Sequence, residues 1–338
     1  MIKGSIHTME VTFDKGIYIP ELDLWMDSTR KKSFCIVSHA HSDHVARHNT
    51  PVMSIDTYKL LEDYYHKSTP VILDYGEEIK YDKFSITLHP AGHCLGSSQI
   101  VIKVHGTNET IVYTGDYKPN EGPVNVKSSV LECDTLILEA TYGKQHYIFP
   151  DEKQIMDLAS KSLNQWLESG YKPIVEGWKL GKSQEILFYL LDYGFDVVVE
   201  PSVYAICKIY ESSGVIFPGK YRCFEGEWSP NEIFLCPPNR RKKLGLEGYS
   251  KKRIMRLTGW ALDYQNSGSM LPYSDHADFN QLLGYVLESK AKVIYTVNGF
   301  PELSEYLRKL NYKAVHLSDT CSGSHDFHHW QQQMDLGV

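Results

Sequence analysis

The sequence predicts an α/β fold, and two observations support this prediction. Several short apolar runs of the kind that form buried strands are followed directly by histidines or carboxylates, and functional groups gathered at the carboxyl ends of strands are typical of α/β sites. The region 173–199 alternates strand, helix and strand, as a parallel sheet requires. The chain has 338 residues. Because single cores stop growing near roughly 250 to 300 residues, two domains are expected.

The most informative motif follows the apolar run 34–37. It is the sequence His39-Ala40-His41-Ser42-Asp43-His44. In a strand, which alternates sides, His39, His41 and Asp43 would share one face, and the turn after it would let His44 reach a second ion. Imidazole and carboxylate ligands suit zinc first, and manganese and iron are also compatible. The alternative is a polar loop without metal, which such a dense group of ligand-type residues makes a poorer interpretation.

Further ligand-type residues occur near later apolar runs. They are His93 after the run 84–88, Asp116 after 111–114, Glu139 after 135–138, and His276 before the helix-period run 279–287. Gly92 gives the backbone the freedom to point His93 inward. Asp116 is a carboxylate placed to bridge two cations. The whole set predicts a two-metal hydrolytic site more specifically than any single motif.

Composition predicts a soluble, intracellular and cytoplasmic protein that does not associate with membranes. No stretch approaches the ~20 apolar residues of a membrane span, and residues 1–10 lack the apolar core of a signal peptide. The seven cysteines are an odd number, and they lack C-x-x-C spacing. Reduced, buried thiols are therefore expected rather than disulfides.

The charge pattern points to a local rather than a general attraction for polyanions. The formal net charge of -7 argues against a protein that coats nucleic acid through its overall field. Two basic runs, 240–243 and 251–256, are nevertheless present. A solvated loop is the ordinary interpretation of such a run. Their position upstream of His276 instead favours a polyanionic substrate.

The pattern of elements divides the chain into a discontinuous domain and an insert. The chain is rich in strand signals to about Gly143. Helix-period runs at 153–169 and 182–193 then alternate with strand signals at 173–175 and 197–199. We therefore expect one domain from 1–145 and 260–338, and an inserted α/β domain at 146–259.

One motif in the insert has two interpretations. The sequence Gly177-Trp178-Lys179-Leu180-Gly181-Lys182-Ser183 is one residue short of a phosphate-binding Walker loop, which excludes that assignment. Lys182 and Ser183 at a helix N-terminus would still suit a phosphate, because free N–H groups and the helix dipole attract anions. An ordinary helix start explains the same residues equally well.

The ordered set Asp27, the 39–44 motif, His93 and Asp116 resembles the metallo-β-lactamase superfamily. Glu139, the insert and the sequence Ser274-Asp275-His276-Ala277-Asp278 resemble its β-CASP nuclease branch. Within that branch, the segments 16–20, 180–182 and 257–260 are similar to the ligase-associated DNA exonucleases of prokaryotes. The resemblance covers nearly the whole chain. It implies an αββα sandwich that holds two zinc ions and carries an inserted α/β domain.

The resemblance also implies roles for individual residues. One metal would be bound by His39, His41 and His93. The other would be bound by Asp43, His44 and His276, with Asp116 as the bridge. Asp27 would orient the ligand loop from behind, and Glu139 would pair with His276. Asp43, Glu139 and His276 are the candidate catalytic residues.

At one position the sequence differs from the pattern of the β-CASP branch, and this difference bears on the choice of substrate. RNA-processing β-CASP enzymes, and many of the prokaryotic exonucleases, carry a histidine after the last strand, at the position that Val297 occupies here. A one-residue shift of the alignment would place Asn298 there instead. Valine at this position resembles the DNA-specific members, so DNA is favoured over RNA.

The sequence thus predicts a metal-dependent phosphodiesterase. The resemblance implies a 5′-to-3′ exonuclease that acts on single-stranded DNA in repair, beside a ligase or helicase. An endonuclease is equally reasonable if Lys182 and Ser183 do not anchor a 5′ phosphate. The alternatives are an RNA-processing ribonuclease, cutting internally or from the 5′ end, and a non-catalytic RNA-binding scaffold. The intact ligand set argues against the scaffold.

Overall fold

The computed structural model describes residues 8–238, 240–246, 250–264 and 269–318. The strands in chain order are β1 Thr12–Phe13, β2 Ile17–Ile19, β3 Leu24–Met26, β4 Phe34–Ile36, β5 Thr50–Ser54, β6 Val71–Leu73, β7 Glu78–Lys80, β8 Phe84–Pro90, β9 Ser98–Val104, β10 Thr110–Tyr113, β11 Thr135–Glu139, β12 Lys172–Glu176, β13 Asp196–Val199, β14 Tyr221–Cys223, β15 Glu232–Cys236, β16 Lys252–Leu257, β17 Met270–Leu271, β18 Val293–Val297 and β19 Ala314–His316. The helices are α1 Ile55–Leu61, α2 Glu152–Glu168, α3 Lys182–Asp192, α4 Pro201–Ser212, α5 Arg240–Lys243, α6 Phe279–Ser289 and α7 Glu302–Lys309. The mixed α/β class is therefore confirmed.

The chain forms two compact units. The first takes the described residues up to Glu121, then Val126–His146 and the described residues from His276 onward. The second takes Gly122–Asn125 and Tyr147–Asp275.

The first unit contains two sheets. One has the strand order β1-β2-β3-β4-β5-β6, and the other has the order β19-β18-β11-β10-β9-β8-β7. A single apolar cluster includes side chains from both sheets, among them Ile36, Val52, Ile100 and Ile137. Alternation along each strand explains this cluster, because successive side chains point to opposite faces.

The outer faces of the two sheets pack against helices. In the second sheet, Leu136 and Leu138 contact a cluster that contains Leu282 of α6 and Leu307 of α7. In the first sheet, Met53 lies in a cluster with residues such as Leu61, at the end of α1. Each sheet is therefore apolar on both faces.

Helix α6 begins immediately after the segment that contains His276. The Asp278 carboxylate caps it by accepting the backbone N–H of Gln281 at 2.9 Å, while the Gln281 side chain accepts the N–H of Asp278 at 2.9 Å. This capping box satisfies two backbone donors that a helix start leaves open. It fixes the chain two residues beyond His276.

The second unit is built on a parallel sheet with the order β14-β13-β15-β12-β16-β17. All the strand pairs described in it are parallel. The sequence predictions of helices near 153–169 and 182–193 and of strands near 173–175 and 197–199 are confirmed by α2, α3, β12 and β13. None of the helices in the described part of the chain has both the length and the apolar character needed to cross a membrane.

The cysteines that the structure describes form no disulfide with one another, and most of them are buried. Cys321 lies outside the described residues.

Candidate metal centre

The predicted ligands of the first metal converge in the first unit. His39, His41, His93 and Asp116 each offer a ligand atom, and these atoms all lie within 4.8 Å of one another. His41 Nδ1 lies 3.1 Å from His39 Nε2 and 3.2 Å from His93 Nε2. His39, His93 and Asp116 are buried, so few water molecules could satisfy these nitrogens.

The 39–44 motif does not lie in a strand, as the sequence had suggested. Strand β4 ends at Ile36, and Ser42–His44 forms a short 3₁₀ helix. The expectation that His39, His41 and Asp43 share a strand face was therefore wrong. The loop brings the histidines together instead, because contacts from other elements hold it.

The most important of those contacts come from Asp27, just after β3. Its Oδ1 accepts the backbone N–H of Ser38 at 2.7 Å, and its Oδ2 accepts the Ser38 hydroxyl at 2.5 Å and the Tyr113 hydroxyl at 2.8 Å. Asp27 Oδ2 also lies 2.8 Å from His44 Nδ1. Asp27 thus connects the ligand loop to β10. The sequence did not indicate these roles of Ser38 and Tyr113. Ser38 is only the residue before a histidine, and Tyr113 resembles an aromatic residue of the core.

These contacts determine which nitrogen of each ring carries hydrogen. A carboxylate cannot donate, so His44 Nδ1 must be the donor to Asp27. The Ser38 hydroxyl donates to Asp27, so it accepts from His39 Nδ1 at 2.9 Å. In both neutral rings Nε2 is then left with a lone pair.

The two lone pairs point at a carboxylate. Asp116 Oδ2 lies 3.4 Å from His39 Nε2, 3.5 Å from His44 Nε2 and 3.8 Å from His93 Nε2. Its other oxygen, Oδ1, is buried and has no hydrogen-bond partner among the described residues. When the rings are neutral, these acceptors face one another, and a cation between them would satisfy them. The donor set therefore fits divalent metal ions, and imidazole with carboxylate suits zinc.

The charges of the site support the same conclusion. Burial, reinforced by the neighbouring His44, lowers the pKa of His39 well below its usual value, which keeps its ring neutral. Burial opposes ionisation of Asp116, yet His44 and His39 hold the pKa of that carboxyl well below its usual range. Burial also works against a charged His44, but Asp116, Asp43 and Asp27 raise its pKa well above normal. The carboxylates thus favour positive charge at this position.

The candidate ligands of the second metal are less tightly gathered. His276 offers a ligand atom within 4.8 Å of those of Asp116 and Glu139, and its ring centroid lies 4.5 Å from that of His93. Asp43 Oδ2 lies 3.7 Å from His44 Nε2, with a side chain that is 70% exposed. The division of the ligands between two metals remains a prediction.

Glu139 and His276 are adjacent, as the resemblance implied. His276 Nδ1 lies 3.1 Å from Glu139 Oε2, and Glu139 Oε1 accepts the backbone N–H of Tyr117 at 2.5 Å. Val297 is buried and pairs with Glu139 across the parallel strands β11 and β18.

Gly92 allows the backbone next to His93 to lie close to the backbone of Lys118. Gly92 has φ of 79°, and a Cβ atom there would lie 2.1 Å from the carbonyl oxygen of Lys118. The carbonyl of Ala91, its neighbour, accepts the N–H of Lys118 at 2.9 Å. No side chain fits this turn without moving the backbone.

Lys182 and Ser183 lie in the second unit. Lys182 Nζ forms an ion pair with Asp275 Oδ1 at 2.9 Å, and the Lys182 side chain is 3% exposed. The Ser183 hydroxyl donates to the carbonyl of Gly177 at 3.1 Å. A phosphate pocket at these residues remains a prediction.

The basic run 240–243 forms helix α5 rather than a loop. Arg240 pairs with the buried Glu200 at 2.6 Å, and Arg241 pairs with the buried Glu176 at 2.5 Å. Arg256, from the second run, also pairs with Glu176 at 2.9 Å. These arginines are thus anchored by buried carboxylates, which fixes the helix on the sheet.

Comparison with known proteins identifies relatives of the chain. No protein-family model matches it. It is 33% identical over 341 residues to a probable DNA ligase of Opitutus terrae, an alignment that covers 97% of this chain and 32% of the relative. It is 28% identical over 193 residues to RNase aCSPSF2 of Saccharolobus solfataricus, covering 47% of this chain and 38% of the relative.

A third relative is the transcription termination factor FttA of Pyrococcus abyssi, with 31% identity over 151 residues, 43% of this chain and 23% of the relative. These relatives include nucleases of the β-CASP branch of the metallo-β-lactamase superfamily, and the chain is similar to them. The resemblance seen in the sequence is thereby confirmed. The chain spans about a third of the length of the probable DNA ligase it matches.

Proposed function

We propose that this chain is a metal-dependent nuclease that hydrolyses phosphodiester bonds of single-stranded DNA from a 5′ end. One observation carries the proposal. His39 Nε2 and His44 Nε2 lie 3.4 and 3.5 Å from the same Asp116 oxygen, in a buried group of imidazole and carboxylate ligand atoms. A buried site of this kind is suited to metal-assisted hydrolysis.

We also propose that the first unit is the αββα sandwich of the superfamily. The apolar cluster shared by its two sheets supports a sandwich. The clusters that join the sheets to α1, α6 and α7 support helical outer layers. The ligand loop and the ends of β10 and β11 would then meet at one edge of this sandwich.

The residues divide the chemical work between them. When bound, a pair of divalent cations lowers the pKa of water and stabilises charge on the scissile phosphate. His39, His41 and His93 would hold one cation, and Asp43, His44 and His276 the other, with Asp116 shared. Asp27 fixes the His44 ring, because its carboxylate accepts the Nδ1 hydrogen.

Glu139 sets the chemistry of His276. The carboxylate can only accept, so it selects the form of the ring with hydrogen on Nδ1. The atom left for chemistry is then Nε2. A neutral ring offers Nε2 as a ligand. A charged ring, which Glu139 would stabilise, can instead donate a proton from Nε2 to the departing 3′ oxygen.

Two observations support DNA as the substrate. The relative that covers nearly the whole chain is a probable DNA ligase, which also suggests that the protein works beside a ligase in repair. The resemblance aligns Val297, or Asn298 after a shift of one residue, with the position at which RNA-processing members of the branch carry histidine. The 5′-to-3′ direction is proposed from the resemblance to ligase-associated exonucleases.

The second unit offers a candidate surface for the phosphate backbone of a nucleic acid. Arg240 and Arg241 tie α5 to buried glutamates, while Lys242 and Lys243 of the same helix are exposed. α5 follows the carboxyl end of β15, and ligands of α/β folds bind at such strand ends. Lys242 and Lys243 would contact phosphates, which carry most of the affinity for nucleic acids.

RNA cleavage is the second candidate function. It is favoured by the relatives named RNase aCSPSF2 and, from Methanocaldococcus jannaschii, RNase J-like protein. The two candidates share the metal chemistry and differ in the sugar that the site accepts. A non-catalytic scaffold would not require the intact ligand set.

A single assay separates these functions. Purified protein is incubated with 5′- and 3′-end-labelled single-stranded DNA and RNA of one sequence, with zinc or manganese and with a chelator. We expect DNA products whose lengths report digestion from the 5′ end, and no products with the chelator. A ladder from RNA alone would replace the DNA assignment with the ribonuclease, and chelator-resistant or absent cleavage would refute the metal-dependent nuclease.

A further inference from the structure

The chain segment that leads into His276 is held by helix α3 through buried polar contacts. Lys182, in the first turn of α3, forms an ion pair with Asp275 at 2.9 Å, and the two side chains are 3% and 1% exposed. Asp275 is bonded directly to His276 in the chain. The pair therefore acts on the residue adjacent to a candidate ligand.

A second contact from the same helix holds the same segment. The Tyr273 hydroxyl donates to Glu185 Oε2 at 2.8 Å, and Asn125 Nδ2 donates to Glu185 Oε1 at 2.7 Å. Glu185 and Tyr273 are buried. Both oxygens of the Glu185 carboxylate thus accept hydrogen bonds, and the segment is tied to α3 at two alternate positions, Tyr273 and Asp275.

Such contacts are poorly explained by stability alone. Removing two charges from water is costly, and apolar side chains of similar size often stabilise a core as well as a buried ion pair does. Directional polar contacts do specify one geometry, because a displaced partner leaves a buried charge or donor unsatisfied. Lys182 and Glu185 are therefore suited to fixing the position of the segment.

We propose that Lys182 and Glu185 are positioning residues that set the backbone leading into His276, so that its imidazole reaches the second metal and Glu139. This inference rests on the proposed metal-dependent function. It gives Lys182 a role that differs from phosphate binding. The ammonium is engaged with Asp275 and almost wholly buried, so it acts through His276 without touching the substrate.

The test measures zinc binding as well as cleavage. Lys182→Met combined with Asp275→Asn removes both charges and leaves no unpaired ion. Lys179→Met is the matched control, because it removes the same charge from an exposed side chain three positions earlier. Zinc alone is titrated against a chromogenic chelator, folding is checked by near-ultraviolet circular dichroism, and kcat and KM are measured on single-stranded DNA.

We expect the double variant to keep the first zinc and to bind the second at least tenfold more weakly, with a lower kcat and a nearly unchanged KM. The control should match the parent in all these respects. A folded double variant with parental affinity for the second zinc would overturn the proposal. So would a variant that keeps its zinc and loses only the preference for 5′-phosphate over 5′-hydroxyl ends, since that result indicates a phosphate pocket.

A milder variant keeps the test decisive if the double variant does not fold. Tyr273→Phe removes only the hydroxyl that donates to Glu185, and we expect the second zinc to bind at least threefold more weakly. Parental affinity in this variant would again overturn the proposal. Failure of the parent protein itself to bind zinc or to cleave would instead refute the proposed function.

Discussion

His276 Nδ1 lies 3.1 Å from Glu139 Oε2, although 137 positions separate the two residues in the chain. Glu139 is fully buried at the end of β11 and is held by the backbone N–H of Tyr117 at 2.5 Å. The carboxylate is therefore a fixed acceptor, and the imidazole is the partner that it orients.

Replacing Glu139 by glutamine should separate orientation from metal binding. Glu139→Gln keeps the size of the side chain but removes the charge that favours hydrogen on Nδ1 and stabilises a charged ring. We expect kcat on single-stranded DNA to fall by roughly 10² to 10⁴, the range for a lost proton-transfer group. KM should change little. Glu132→Gln, at a side chain that is 69% exposed, is the control, and a kcat for Glu139→Gln within twofold of the parent would contradict the assigned role.

Removing a ligand should remove metal and activity together. His41 Nδ1 lies within 3.2 Å of both His39 Nε2 and His93 Nε2, so His41→Ala takes one donor from the first site. We expect less bound zinc by inductively coupled plasma mass spectrometry, no detectable cleavage, and an unchanged circular dichroism spectrum. His105→Ala, at an exposed histidine, should behave as the parent. Parental turnover of His41→Ala in chelator-treated buffer would refute the ligand assignment.

The strands that carry the site were predictable from the sequence because their apolar runs are bounded by functional groups. β8, β10 and β11 end at Pro90, Tyr113 and Glu139, close to the positions where the apolar runs stop. Buried strands need apolar side chains on both faces. A histidine or carboxylate that follows such a run therefore marks both the end of the strand and a candidate site residue.

The conformation of the 39–44 loop was not predictable in this way. Its shape depends on Asp27, which binds Ser38 and His44 from a distance of 11 and 17 positions in the chain. The periodicity of apolar residues along the sequence does not predict a contact between such distant positions. The roles of Tyr113 and Lys182 were hidden for the same reason, since burial and the identity of a distant partner decide them.

Binding of nucleic acid should depend on salt through α5. Lys242 and Lys243 are exposed on a helix that Arg240 and Arg241 anchor. Replacing both lysines by alanine should weaken binding of single-stranded DNA and flatten the dependence of log K on log salt by roughly 1.4, since each lost phosphate contact contributes about 0.7 for single strands. Fluorescence anisotropy over a range of salt concentrations measures both effects.

A matched pair tests whether this effect is local to α5. Lys153→Ala with Lys161→Ala removes the same charge from exposed positions on α2, in the same unit. This control should keep the parental salt slope. Equal slopes for both double variants would show that α5 makes no specific phosphate contact and would remove the proposed surface.

His48 is a buried histidine with a different function from the ligands. Burial lowers its pKa to about 4. Its Nδ1 accepts the backbone N–H of Lys32 at 3.1 Å, and its Nε2 is buried with no hydrogen-bond partner among the described residues. Because Nδ1 accepts, the neutral ring carries its hydrogen on Nε2, and charging the ring would place a second hydrogen on Nδ1, against the N–H of Lys32. Burial and the loss of this hydrogen bond therefore keep the ring neutral in the folded protein.

His48 should make the protein less stable in mild acid. Between about pH 6.5 and 4 the unfolded chain binds a proton on His48 that the folded chain does not, so stability falls as the pH decreases through this window, by at most about 3 kcal/mol. His48→Gln should reduce the pH dependence of the urea-unfolding midpoint across this window. His66→Gln, at an exposed histidine, should retain the parental pH dependence. An unchanged pH profile in His48→Gln would show that other groups cause the loss of stability.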